Sequence, residues 1–491
     1  MSIQKFLIML LAPLAVPIAI IESPVYSQQL PTIDGGQTDS TKILGAWEGA
    51  LDVGAIRLRL VFNIRSEAEK LQATLDSPDQ GAKNIPLDQV KLDGSEITIS
   101  SKKMGAAFVG KLNSTNDAID GKWTQGGREF PLKLKRAVGT TERRRPQTPK
   151  GPYSYRNEEI GYAHLSNKFQ FAATLTIPQG TGPFSAAVLI SGSGAQDRDE
   201  SIFEHKPFAV LADHLTKAGM IVLRVDDRGV GGTGNDENPS DDTTADFATD
   251  AKSAIAYLKT RREVDQYKIG LIGHSEGAIV GSMVAAEDHE LAFLVLLAGP
   301  GVPGDELLVL QSEKIARASG ASDAGIKDLR AMQQAIFSII RNQTDVDAGR
   351  KEARAHLLAE YEKATDAEKK AAGSADAFAD QHSAVVSIPW FRYFITLDPR
   401  NFLKKVACPV LALTGDKDLQ VPPEQNLPEI ERAAQSGGNK EVMVKSMPGL
   451  NHLFQTAKTG LVTEYGEIEE TIAPTALNEI STWLKGRKFL E

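Results

Sequence analysis

From Lys42 to Arg136 the chain alternates apolar and polar positions with a period of two. The segment IRLRLVFNIR sets Ile56, Leu58, Leu60 and Phe62 on one face and Arg57, Arg59 and Val61 on the other. LQATLDSP, EITISSKK, AAFVGKLN, AIDGKWTQGG and FPLKLKR continue the theme, punctuated by Asp-Gly, Asn-Asp and Gly-Gly turns. Such alternation predicts an antiparallel β-domain over 42–136, curled or closed into a small barrel. It carries no catalytic constellation, so an accessory role is expected of it. Residues 137–156, rich in Pro, Thr and cations, read as a linker, with Arg143, Arg144 and Arg145 as a solvated run.

The texture changes at Asn157. EEIGYAHL and FAATLTIP read as adjacent strands. Nearly continuous apolar strands then alternate with helical stretches: AAVLIS, MIVLRVD, KIGLIG, FLVLLAG, PVLALTG and VMVKSM. That rhythm predicts, over 157–491, a mostly parallel sheet covered by helices on both faces. About a hundred residues between FLVLLAGP and CPVLALTGD, 304–405, break it with helix-forming sequence, and a compact helical insertion is expected there. Its segment SIPWFRYFITLDP is aromatic, and Trp390, Phe391, Tyr393 and Phe394 are the residues expected to roof a cavity and bind substrate.

Composition adds bounds rather than a function. The chain has 491 residues, 41% of them hydrophobic, enough for more than one sizeable core. A formal net charge of −9, with no basic block, argues against nucleic acid or anionic lipid as the main partner. The first residues, MSIQKFLIMLLAPLAVPIAIIESPVYSQQ, place Lys5 before an apolar run from Phe6 to Ile21, with Val25 and Ser27 spaced as in a cleavage site. Residues 1–27 are therefore expected to be a secretory signal peptide and the protein to be exported, to the periplasm or the medium. Pro13 and Pro17 disfavour a spanning helix, so no stable membrane span is expected in the mature chain. Cys408 is the single cysteine, which leaves no intramolecular disulfide and no cysteine-rich metal site.

One junction bears chemistry. IGLIGHSEGAIVGSMVAAE runs a strand into Gly273-x-Ser275-x-Gly277 and leaves it as a helix, the pattern of a nucleophile elbow. A serine hydroxyl needs a base within hydrogen-bond reach and a third group to orient that base. In the elbow arrangement the chain order is nucleophile, acid, histidine. LTGDKDLQVPP offers Asp416 and Asp418 at the end of a strand, and VKSMPGLNHLF offers His452 beyond the last one. His289, His356 and His382 follow no strand of the series, so His452 is the candidate base. Each residue also has a bland reading: Ser275 as a small residue easing a strand–helix junction, His452 as a helix cap, both aspartates as turn formers. The shared order on one scaffold is what sets the chemical reading above these.

Ser275 in GHSEG, Asp418 in GDKDLQVP and His452 in GLNHLF resemble the catalytic triad of the α/β-hydrolase fold. The resemblance covers about 157–491, with the helical insertion where such enzymes carry a cap. Its Gly-x-x-Asp…Val-Pro pattern implies Asp418 rather than Asp416 as the acid. LISGSGAQDRDE stands where the family places its oxyanion loop, with Ser191 in place of the usual histidine. The resemblance implies the backbone N–H groups of Ser193 and Glu276 as oxyanion donors. RVDDRGVGGTG resembles the family's Asp-x-Arg-Gly loop, in which Asp227 and Arg228 are expected to form a structural ion pair. Together, GSGAQDRDE, VDDRGVGG and GHSEG look like a bacterial group of exported acyl esterases and serine aminopeptidase-like hydrolases. The Glu276 side chain would bias the site against anions or bind a free amine; a solvated glutamate at a helix N-terminus is the plainer expectation.

These observations lead to an expected serine carboxylesterase acting on short to medium acyl chains through an acyl-enzyme on Ser275. Its partner would be a small-molecule ester or short peptide, and no metal or organic cofactor is implied. Two alternatives stay open: a serine aminopeptidase for short peptides, and a non-catalytic binding protein on the same scaffold.

Overall fold

The computed structural model describes residues 40–490, apart from 54–55, 68–69, 81, 103, 126–127, 138–142, 236–240, 367–368 and 370–371. The expected signal peptide lies outside the described residues. Two compact units emerge, one holding 145–201 and 205–490, the other 40–144 with 202–204.

The smaller unit is one antiparallel sheet of nine strands. They are β1 (Gly45–Val53), β2 (Ile56–Glu67), β3 (Lys70–Ser77), β4 (Ala82–Leu87), β5 (Gln89–Asp93), β6 (Glu96–Ser101), β7 (Ala106–Leu112), β8 (Ala118–Gln125) and β9 (Arg128–Arg136). Their order is β4-β3-β2-β1-β9-β8-β7-β6-β5, so the first and last strands are neighbours, with Trp47 opposite Arg136. Leu60, Phe62 and Ile64 alternate inward along β2 and meet Trp47, Phe108 and Trp123 in a single core. The ring of Phe62 stands 5.7 Å from Phe108 and 6.0 Å from Trp123. Arg143, expected to be solvated, instead donates to the buried Asp79 carboxylate at 3.0 Å.

The larger unit is built on eight strands, β10 (Arg156–Ala163), β11 (Gln170–Ile177), β12 (Phe184–Ile190), β13 (Ile221–Val225), β14 (Val264–His274), β15 (Leu294–Leu297), β16 (Val410–Gly415) and β17 (Val442–Met447). They lie in the order β10-β11-β13-β12-β14-β15-β16-β17. Pairing is antiparallel for β10–β11 and β11–β13 and parallel from there on. The central strands are buried on both faces, which is why they read as unbroken apolar runs. Helices α1 (Pro207–Lys217), α2 (Thr244–Lys259) and α3 (Glu276–Ala285) connect them. Every residue of α3 is buried, consistent with its lack of a polar face.

Between β15 and β16 stand α4 (Gly304–Ala318), α5 (Asp323–Asn342), α6 (Val346–Lys363), α7 (Ala375–Ser383), α8 (Pro389–Thr396) and α9 (Arg400–Leu403). Ser322, Asp345 and Ser374 cap α5, α6 and α7 by accepting from backbone N–H groups of the first turns, which starts each helix where the sequence places it. Helices α10 (Pro423–Ser436), α11 (Val462–Tyr465) and α12 (Pro474–Gly486) complete the unit. One core packs α2, α3 and α10 against the sheet; the other packs α1 and α12 on the opposite face through Phe208, Leu215, Ile480 and Trp483. Arg145, the last cation of the expected linker, is not free either. Its guanidinium donates to the carbonyls of Gly466 and Ile468 at 2.8 and 2.9 Å. Among the described residues no helix is long and apolar enough to cross a membrane.

Candidate active site

Ser275 follows the last residue of β14 and precedes α3, and its φ of 54° and ψ of −119° leave the regions open to ordinary side chains. Such a conformation persists only where the surroundings over-determine it. Here two glycines do so. A Cβ on Gly273 would lie 2.1 Å from the Gly277 carbonyl oxygen, and one on Gly277 would lie 2.2 Å from that of Ile190. The Ser275 N–H donates to Leu297 on the neighbouring strand at 2.9 Å, and the side chain stays partly exposed at the sheet's carboxyl edge.

Asp418 and His452 stand at the same edge, after β16 and β17. Nδ1 of His452 lies 2.8 Å from Oδ2 of Asp418, and both residues are buried, 5% and 2% exposed. Oδ1 of Asp418 accepts from the N–H groups of Gln420 and Val421 at 2.8 and 2.9 Å. That leaves the carboxylate no freedom to leave the imidazole. The loop carrying His452 is shaped by Asn451, whose Oδ1 accepts from the N–H groups of Leu453 and Gln455. Asp416 does something else: its Oδ1 accepts from Gly449 N–H at 2.7 Å.

The loop after β12 runs beside Ser275, since a Cβ on Gly192 would lie 3.2 Å from Cβ of Ser275. Gly192 N–H is already engaged, donating to Oε1 of Glu200 at 2.7 Å. Glu276 N–H opens α3, so helix geometry gives it no intrahelical acceptor. Ser191 donates its hydroxyl to Oδ1 of Asp227 at 2.8 Å, and Gln196 N–H donates to Oδ2 at 2.9 Å. Asp227 therefore supports this loop, and burial pushes its carboxyl well above the usual carboxylate range. The expected Asp227–Arg228 pair is not formed. Arg228 turns to Asp250, which it grips with Nε and Nη2 at 2.6 and 2.7 Å, and to Asp242. Each is engaged elsewhere, Asp227 by the loop after β12 and Arg228 by these two carboxylates.

Glu276 also departs from expectation. It begins α3 but is not solvated, being 2% exposed. Its Oε1 accepts from Thr244 Oγ1 at 2.7 Å and from Trp390 Nε1 at 2.8 Å, while Oε2 is buried with no hydrogen-bond partner. Burial raises its pKa, against the opposing bonds from Thr244 and Trp390. A cavity of about 60 Å³ lies here, lined by Ser191, Gly192, Asp227, Phe247 and Glu276 among others.

Of the aromatic residues expected to bind substrate, Trp390 alone is hydrogen-bonded to the elbow. Phe391 and Phe394 are 1% and 4% exposed and pack with Ile395 on the inner face of α8. Helical periodicity sends them into the cap's own core rather than toward an opening. Tyr393 is half-buried, and its pKa is raised by burial and by the charge of Asp246.

Two further residues at the site drew no role from the sequence. His274 and Glu200, both inside the motifs GHSEG and GSGAQDRDE, are hydrogen-bonded to each other at 2.8 Å. Nothing in the spacing of a 74-residue separation announces that contact.

A mostly parallel eight-stranded sheet, a strained strand–helix serine and an Asp–His pair on the loops after two later strands define an α/β-hydrolase. Residues 204–456, more than half the chain, match the family Hydrolase_4, described as Serine aminopeptidase, S33, and the chain belongs to that family. Esterase EstD of Thermotoga maritima is 25% identical over 344 residues, covering 68% of each chain. Among solved structures, the Pyrococcus furiosus esterase Pf2001 aligns at 14% identity and a TM-score of 0.38, covering 68% of this chain and 93% of that one. The α/β hydrolase GrgF from Penicillium sp. sh18 aligns at 15% identity and a TM-score of 0.41, covering 68% and 99%.

Proposed function

We propose that this protein is a serine hydrolase that cleaves carboxylic esters of short to medium acyl chains. The observation that carries the reading is the buried Asp418–His452 pair at the carboxyl edge of the sheet that also presents Ser275. In this mechanism Ser275 Oγ attacks the acyl carbon while Nε2 of His452 takes its proton. Asp418 fixes the imidazole through Nδ1 and stabilises the imidazolium. The N–H groups of Ser193 and Glu276 receive the developing oxyanion, each worth about 10²–10³ in rate. Collapse releases the alcohol with the proton from His452. A water activated by the same base then frees the acid and restores Ser275.

The name of the Thermotoga relative supports an ester substrate. Trp390, bonded one residue from the nucleophile, supports a limit on acyl length, because the cap is tethered at that point. The family description favours a second reading, an aminopeptidase. Against it, Oε1 of Glu276 is already occupied and burial favours the neutral acid, a poor partner for a substrate ammonium. Export, expected from residues 1–27, remains part of the proposal. The test is fluorophosphonate labelling of the wild type beside Ser275→Ala, with butyrate-ester and aminoacyl-amide turnover read on the same samples. Labelling lost in the variant with ester turnover in the wild type is the expected result. Amide turnover alone would favour the peptidase, and an unlabelled, folded wild type would favour a binding protein.

A further inference from the structure

His274, next to the nucleophile, is 7% exposed and takes no part in the proton transfers proposed above. Its two ring nitrogens face two oxygens: Nδ1 lies 2.8 Å from Oε1 of Glu200, and Nε2 lies 3.0 Å from the carbonyl oxygen of His452. A carbonyl oxygen only accepts, and so does a carboxylate. A neutral imidazole has one N–H and one lone pair, so it can satisfy one of these oxygens and must oppose the other. The His274–Glu200 pair therefore holds one proton more than a neutral imidazole beside a carboxylate.

That proton has two places to reside, on the ring or on the carboxyl. Gly192 N–H donates to the same Oε1 at 2.7 Å, and a donor at that oxygen favours the ionised carboxylate. The proton then belongs to the ring. The groups facing His274 agree. Burial opposes its charge, but Glu200, the His452 carbonyl and the charge of Asp418 outweigh it, and the pKa of His274 is raised. The His452 ring lies alongside, its centroid 4.8 Å away.

We infer that His274 and Glu200 form a buried imidazolium–carboxylate pair that ties the oxyanion loop to the loop carrying the base. One end holds Gly192, beside the oxyanion candidate Ser193; the other holds the main chain of His452 itself. Both are positioning residues. Losing the ring proton would set a lone pair against one of these two oxygens and break one end of the tie between the oxyanion loop and the base loop. The catalytic consequence rests on the serine-hydrolase reading, but the protonation state does not.

The test uses the full chain labelled with ¹⁵N in its eight histidines, with His274 assigned by comparison with His274→Gln. Both ring nitrogens of His274 are expected to stay protonated as pH rises past the ordinary imidazole value of roughly 6.5. A lone pair on either nitrogen would overturn the inference. Glu200→Gln keeps the size of the side chain and removes the charge. Ester kcat is expected to fall about 10- to 100-fold with KM little changed, the scale of a small misplacement of reacting groups. The ratio of wild-type to variant kcat should narrow as pH falls and His274 regains its proton, and Glu200→Asp should recover part of the loss. A ratio constant across pH would mean a merely structural role and would reject the pair. An inactive wild type would reject the hydrolase reading instead, and the nitrogen signals would still decide the protonation state.

Discussion

Nε1 of Trp390 donates to Oε1 of Glu276 at 2.8 Å, which fastens the helical cap to the residue after Ser275. Thr244, at the start of α2, donates to the same oxygen, so three elements meet on one side chain. The cap is thus held at a point next to Ser275 and not only by its apolar underside.

Trp390→Phe keeps the aromatic volume and deletes the donor. A hydrogen bond of this kind contributes about 1 kcal/mol net. KM for a butyrate ester should rise by roughly fivefold, with a smaller change in kcat, and discrimination against longer acyl chains should weaken. A chain-length series of p-nitrophenyl esters measures both; an unchanged series would show that the tether does not shape the acyl site.

Burial raises the pKa of Glu276, and the sign of its pH effect follows. Above the ordinary glutamate value of about 4.3, the unfolded chain has lost the proton that the folded chain still holds. Stability contributed by the neutral form is therefore lost as pH rises through the folded pKa. Glu276→Gln removes that dependence. Denaturant titrations should show the variant gaining on the wild type as pH rises above the ordinary glutamate value, and a pH-independent difference would contradict the buried, proton-holding carboxyl.

Asp416 and Asp418 differ by two positions and should differ sharply in effect. Asp418→Asn is expected to cut kcat by about 10⁴-fold, because the amide favours the wrong tautomer of the base. Asp416→Asn loses only part of a bond to Gly449 N–H and should cost less than about tenfold. Steady-state kinetics of the two purified variants make the comparison.

Gly273→Ala and Gly277→Ala put a Cβ within 2.1 and 2.2 Å of backbone oxygens that cannot move independently. Each should cost about 3 kcal/mol or more, visible as a large drop in Tm or loss of soluble protein. Gly281→Ala meets only the flexible end of Leu294 at 2.9 Å and should be far milder. Equal effects at the three sites would contradict the tight elbow.

Much of this was legible in the chain because local chemistry dictated it. The strands β12 to β16 each contain an apolar run visible in the sequence, since burial on both faces leaves no room there for polar alternation, whereas the edge strand β17 leaves Met443 exposed. The elbow was legible because its glycines are obligatory at contact distances no side chain tolerates. Contacts between loops were not. Asp227 and Arg228 read as a pair because they are adjacent, yet the chain sends one to the loop after β12 and the other to α2. Glu276 read as a surface residue because nothing local reveals that a cap tryptophan, 114 positions away, closes over it. Phe391 and Phe394 looked like pocket walls, but the turn of α8 assigns them to the cap core.

In the smaller unit, β1 lies between β2 and β9, with Trp47 opposite Arg136. The first and last strands along the chain therefore sit side by side in mid-sheet, while the β5–β6 hairpin closes at Asp93 and Glu96 at one end of the order. New termini cut at that hairpin, with the old ones joined by a short splice, would break no strand pairing. Such a circular permutant is a route to moving this unit between chains, because a module whose entry and exit adjoin can be lifted out without unthreading its fold.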